Sequence, residues 1–119
     1  IDLGAVMAAI KGHPDYGNVG MVLYHNGVVR QTSRDGRAVS GLRVKVDHDK
    51  LKAILDRYRR RPGIIDIQIQ IAEERDMAVG DDVMFLAVAG DIRDNVVPVL
   101  RDVLDEVKST VTAKTEFFV

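Results

Sequence analysis

At 119 residues, 46% of them hydrophobic, the chain has room for one domain, residues 1–119, built on a core of ordinary size. Its 17 basic and 18 acidic side chains leave a formal net charge of -1, which provides no whole-chain attraction for nucleic acid or an anionic membrane. The absence of cysteine excludes a disulfide framework, a thiolate metal site and any mechanism in which this chain's own thiol carries sulfur.

From the N-terminus, Asp2 can cap a short helix in which Leu3, Val6, Met7 and Ile10 recur at helical spacing, with Gly12 ending it and His13-Pro14 stopping it. The opening residues lack the basic start of a signal peptide, and no apolar run approaches the ~20 residues needed to cross a bilayer, so a cytoplasmic protein is expected. The β-branched and apolar run from Asn18 to Val29 predicts a buried strand with a bulge near Gly27, on which His25 reads as a packed or hydrogen-bonded residue rather than a ligand.

Arg30 stands where that strand runs out, followed by the polar loop Gln31-Thr32-Ser33-Arg34-Asp35-Gly36-Arg37. Guanidinium groups suit planar anions because their donors match carboxylate or phosphate oxygens two at a time. The loop therefore reads as a candidate anion site with Arg30, Arg34 and Arg37, or as the solvated turn of a hairpin. Beyond it, Val39 to Asp47 alternates, with Leu42, Val44 and Val46 on one face, as a half-buried strand does.

Asp47 or Asp49 can cap the next helix, whose stripe is Leu51, Ile54, Leu55 and Tyr58 and which ends before Pro62-Gly63. Its basic end, Arg57-Tyr58-Arg59-Arg60-Arg61, complements the helix dipole as a solvated face, and an RNA contact is the weaker reading. Ile64 to Glu73 places Ile65, Ile67, Ile69 and Ile71 on one face and Asp66, Gln68 and Gln70 on the other. After a turn-rich connection whose paired carboxylates read as solvated charges, the unbroken run Val83 to Gly90 predicts a central strand covered on both faces. A helix over Arg93 to Ser109, with Asp91, Asp94 or Asn95 as cap and Pro98 near its start, precedes a β-prone tail. This order predicts an α+β fold with a mixed or antiparallel sheet, two main helices and a short N-terminal one. No phosphate-binding glycine motif or closely spaced metal set is present.

Four features together resemble the large, catalytic subunit of molybdopterin synthase: His13-Pro14 with Gly17; Gly27-Val28-Val29-Arg30; Ala89-Gly90-Asp91-Ile92-Arg93; and Lys108 with Lys114-Thr115-Glu116. The resemblance spans about His13 to Glu116 and implies an α/β-hammerhead fold. It also implies a homodimer, each copy binding a ubiquitin-like small subunit whose C-terminal Gly-Gly thiocarboxylate delivers sulfur. The substrate it implies is cyclic pyranopterin monophosphate, which becomes the dithiolene of molybdopterin, with no tightly bound cofactor and no metal. Arg30 and Arg93 would hold the phosphate or the incoming carboxyl group, and Lys108 and Lys114 would act as general base or transient nucleophile, since neighbouring cations disfavour a charged amine. The chain departs from the family pattern at Ile92, where histidine is usual, at Ala113 in place of tryptophan, and at Thr115 in place of a second basic residue. Besides an active sulfurtransferase, two further readings follow: a homologue that binds without turnover, and an unrelated small α+β ligand-binding module.

Overall fold

The two clearest apolar patterns in the sequence, the alternation after Ile64 and the run before Gly90, become adjacent strands of one sheet. In the computed structural model, which describes residues 1–119, the elements are α1 (Leu3–Lys11), β1 (Met21–Val28), β2 (Val39–Val46), α2 (His48–Arg59), β3 (Ile64–Ile71), β4 (Met77–Ala78), β5 (Asp82–Gly90), α3 (Arg93–Glu106) and β6 (Thr112–Phe118). A 3-10 turn at Tyr16–Asn18 delays the start of β1, and a π turn at Val107–Val111 joins α3 to β6.

Strand β5 is the middle of a sheet ordered β1-β5-β3, and both of its pairings are antiparallel. It is buried from Met84 to Gly90 because helices cover both of its faces. On one face Phe85, Ala87 and Ala89 pack against Val6 and Ile10 of α1. On the other, Leu86 and Val88 join Val96, Val99 and Val103 of α3 and Ile54, Leu55 and Tyr58 of α2. The expected central strand is thus observed, as is the α+β class. A second antiparallel sheet, ordered β4-β2-β6, has its own small core of Val29, Leu42, Val44, Ala72 and Met77. The molecule is elongated, 48 × 25 × 24 Å. No helix is long and apolar enough to cross a membrane.

The loop of residues 31–37 does turn back on itself, through an antiparallel bridge between Thr32 and Ala38, but the flanking strands form no hairpin: β1 and β2 enter different sheets, β1 against β5 and β2 against β6 and β4. The loop between them is therefore a crossing between sheets. A bulge at Ile65 also resets the face of β3, so that Ile64 rather than Ile65 joins the core with Ile67. Asp66, expected on the polar face, is buried, and the Arg59 guanidinium lies 3.6 Å from its carboxylate.

The helix ends follow the sequence closely at α1 and α2. Asp2 accepts from the Ala5 N–H at 3.0 Å, and Asp47 accepts from the Lys50 N–H at 3.1 Å. Helix α3 differs, because its N-cap is Ile92, which has no side-chain acceptor. Asp91 compensates from one position earlier, accepting from the Ile92 N–H at 2.6 Å and the Asn95 side chain at 2.8 Å. The basic end of α2 is engaged in packing: Arg57 pairs with Glu106 of α3, and the Arg57 and Arg61 guanidiniums flank the Tyr58 ring at 5.0 and 4.8 Å.

Candidate active site

Where the two sheets meet beside the end of α3, a cavity of about 560 Å³ opens, within the size range of ligand sites. Its floor is apolar, formed by Leu42 and Val44 of β2, Ile71 of β3, and Val83 and Met84 of β5. Its rim carries three cations, Arg34, Lys108 and Lys114, and one carboxylate, Asp105. A guest with an extended apolar or backbone portion and an anionic end suits that combination.

Lys108 reaches the rim because α3 does not end as an ordinary α-helix. The π turn of Val107–Val111 is anchored by two buried valines, Val107 and Val111, while Lys108, Ser109 and Thr110 between them are exposed. Widening a turn displaces carbonyls from their usual donors, and nearby hydroxyls supply replacements. The Thr110 hydroxyl donates to the Glu106 carbonyl at 2.7 Å, and the Thr112 hydroxyl donates to the Val107 carbonyl at 3.3 Å. Lys114 then projects from β6, opposite Val44 in register, with Glu116 3.8 Å from its ammonium.

Arg34 is held by a folded loop rather than a slack one. Ser33 is buried, and its backbone N–H donates to the Arg37 carbonyl at 2.9 Å while its hydroxyl accepts from the Arg37 N–H at 3.1 Å. The same hydroxyl donates to the Asp35 carboxylate, which holds that carboxyl below its ordinary range. Gly36 takes φ +86°, a conformation a side chain would resist, and closes the turn. Arg37 caps the structure from outside, its guanidinium 3.6 Å above the Phe118 ring.

Of the basic residues singled out from the sequence, the cavity therefore collects Lys108, Lys114 and Arg34. Arg30 is turned to the loop backbone, its Nε donating to the Thr32 carbonyl at 2.7 Å, and Arg37 is occupied by Phe118. Arg93 lines a separate shallow depression with Gly20, Met21, Asp91, Ile92 and Asp94, at the far end of α3 from Lys108. One chain does not bring all four family-motif cations into a single cleft. Nor does any cluster of three or more His, Asp or Glu side chains form a metal site.

The polar cavity residues that sequence reasoning missed are His25, Asp105, Ser109 and Thr112. Alternation along β1 places His25 on the same face as Leu23, which packs in the core beneath α3, and continues that face into the cavity. Burial first, and the Lys108 charge second, push its imidazole below the ordinary histidine value. The strand expected to be buried is instead a half-buried edge strand, in which no residue is fully covered, and the alternation from Leu23 was the one signal that set the face of His25.

Residues 1–110 match the family described as MoaE protein. No curated protein matches the chain in sequence. Among solved structures, molybdopterin cofactor biosynthesis protein E from Burkholderia multivorans is similar at TM-score 0.77 and 26% identity, covering 100% of this chain and 84% of that one. A complex of subunits 1 and 2 of the molybdopterin-converting factor from Helicobacter pylori matches at TM-score 0.74 and 15% identity, covering 100% and 84%. Molybdopterin synthase from Staphylococcus aureus matches at TM-score 0.73 and 20% identity, covering 86% of this chain and 77% of that one. At identities of 15% and 20% the last two likenesses show the fold alone.

Proposed function

Because the chain belongs to the MoaE family, with a role in molybdenum cofactor biosynthesis, we propose that it is the catalytic subunit of a molybdopterin synthase. In this reading it passes sulfur from the C-terminal thiocarboxylates of two ubiquitin-like small subunits, one after the other, to cyclic pyranopterin monophosphate, forming the dithiolene. The observation that carries the proposal is the cavity itself, in which Lys108, Lys114 and Arg34 surround an apolar floor. An extended Gly-Gly tail fits the apolar part, and its thiocarboxylate meets the cations. The lack of cysteine agrees with sulfur arriving on the partner. A complex of two subunits in the Helicobacter pylori relative supports a small-subunit partner.

Arg93 serves this site through a second copy of the chain. A two-fold dimer that lays the α3 N-terminus of one protomer across the cavity mouth of the other completes the anion site with the guanidinium that one chain leaves outside. The test is reconstitution: the purified chain, a thiocarboxylated small subunit and the precursor yield dithiolene, and Lys108→Ala and Lys114→Ala each slow it strongly. A second reading, binding without turnover, is favoured by Ile92, which stands 55% exposed at the position where the family's motif has an imidazole. A wild-type chain that binds the small subunit yet makes no product selects that second reading.

A further inference from the structure

Sulfur transfer from a thiocarboxylate has a consequence fixed by atom balance. Once the sulfur has bonded to the precursor it is still attached to the small subunit's acyl carbon as a thioester, and an oxygen must replace it there. We propose that His25 is the base that activates the water for this release, a catalytic residue of the cavity in addition to its lysines. The inference rests on the sulfur-transfer reading above. In the step, the water oxygen bonds to the acyl carbon, one water proton passes to the imidazole, and the carbon–sulfur bond breaks with its electron pair remaining on sulfur. The small subunit leaves as a carboxylate, the second proton goes to solvent, and the precursor keeps a thiolate beside the rim cations.

Several observations converge on His25. It lines the cavity together with both lysines and Arg34. The other histidines have partners: the His13 ring accepts from the Asp15 N–H at 3.0 Å, and His48 lies 2.7 Å from Glu73. The His25 ring makes no hydrogen bond within the chain, its backbone alone being paired in β1, so its nitrogens are available to a guest or a water. Gly27, next along the same face, leaves its Nε2 uncovered, since a Cβ at that position would lie only 3.6 Å away. Lys108 from the π turn acts on it directly, and the cavity's other charged groups are Asp105 from α3, Lys114 from β6 and Arg34 from the loop, while β3 and β5 present apolar Ile71, Val83 and Met84. Among these groups the imidazole is the one whose ordinary titration lies near neutral pH. Burial and the Lys108 cation both favour its neutral, proton-accepting form.

The experiment is a single turnover of the precursor by the assembled complex at several pH values, with at least two thiocarboxylated small subunits supplied per precursor and the quenched small subunit read by mass spectrometry. His25→Gln is expected to slow dithiolene formation roughly a hundred- to ten-thousand-fold, to accumulate the small subunit joined to the precursor, and to lose the acid limb of the rate profile. An unchanged rate and acid limb in His25→Gln, with wild-type turnover intact, overturns the role of His25 and leaves sulfur transfer standing. No turnover by the wild type overturns both. A readout independent of activity is the NMR titration of His25, expected below the ordinary value and moving upward in Lys108→Gln; an imidazole titrating at or above that value refutes the neutral base.

Discussion

If Arg93 acts across a dimer, two inactive variants should repair each other. Lys108 follows Arg93 by fifteen residues along α3 and its π turn, a separation of about 22 Å at ~1.5 Å per residue, longer than any side chain spans. A shared site must therefore draw one residue from each protomer. In a heterodimer of Lys108→Ala with Arg93→Ala, one site carries both lesions and the other carries neither. Random pairing of equal amounts makes about half the dimers mixed, so the mixture should recover roughly one quarter of the wild-type rate under two-fold symmetry. The assay is dithiolene formation by the two variants, differently tagged, co-expressed and compared with each alone. A mixture that only averages the two parents while heterodimers are recovered in quantity refutes the shared site.

Leu86, fully buried at the centre of β5, should lose about 2–5 kcal/mol on conversion to Ala, with melting lowered on the order of 10 °C; a transition within experimental scatter of wild type contradicts the placement of the core. Ser33→Ala removes the hydroxyl that organises the Arg34 loop, and at about 1 kcal/mol for each of its two hydrogen bonds it should raise the KM for the anionic substrate roughly thirty-fold with kcat held. Steady-state kinetics that show the reverse pattern would separate Arg34 from binding. The Tyr58 hydroxyl and then the Arg57 guanidinium hold the Glu106 carboxyl below its ordinary value. A lowered carboxyl pKa stabilises the fold above the unfolded glutamate's titration range and loses that contribution as pH falls through the folded value, so Glu106→Gln should flatten the stability profile below about pH 4.5 in urea melts.

Elements whose signal is local were legible in the sequence. The stripe of Leu51, Ile54, Leu55 and Tyr58 and the run before Gly90 each state their own period or length, and both formed as read. Strand partners are a different matter, because pairing is decided by groups far apart in the chain: β2 takes β6, roughly seventy residues later, instead of its neighbour β1. The single extra residue at Ile65 is likewise invisible to an alternation count, yet it exchanges Ile65 for Ile64 in the core. At the site, the four cations expected to converge separate: Lys108 and Lys114 share the cavity with Arg34 of the loop, Arg93 lies at the other end of α3, and Arg30 and Arg37 are tied to Thr32 and Phe118. His25 was passed over because its type is common in cores, and only the cavity beside it distinguishes the two cases.

Strand β6 pairs on one side only, being last in the order β4-β2-β6. Its other side offers a row of free backbone donors and acceptors next to Phe117 and Phe118, the kind of border that recruits foreign strands. Lys114 and Glu116 place charges along that border and discourage stacking between molecules. Neutralising Lys114 thus carries a colloidal side effect alongside any chemical one, and light scattering should accompany every rate measured on such a variant.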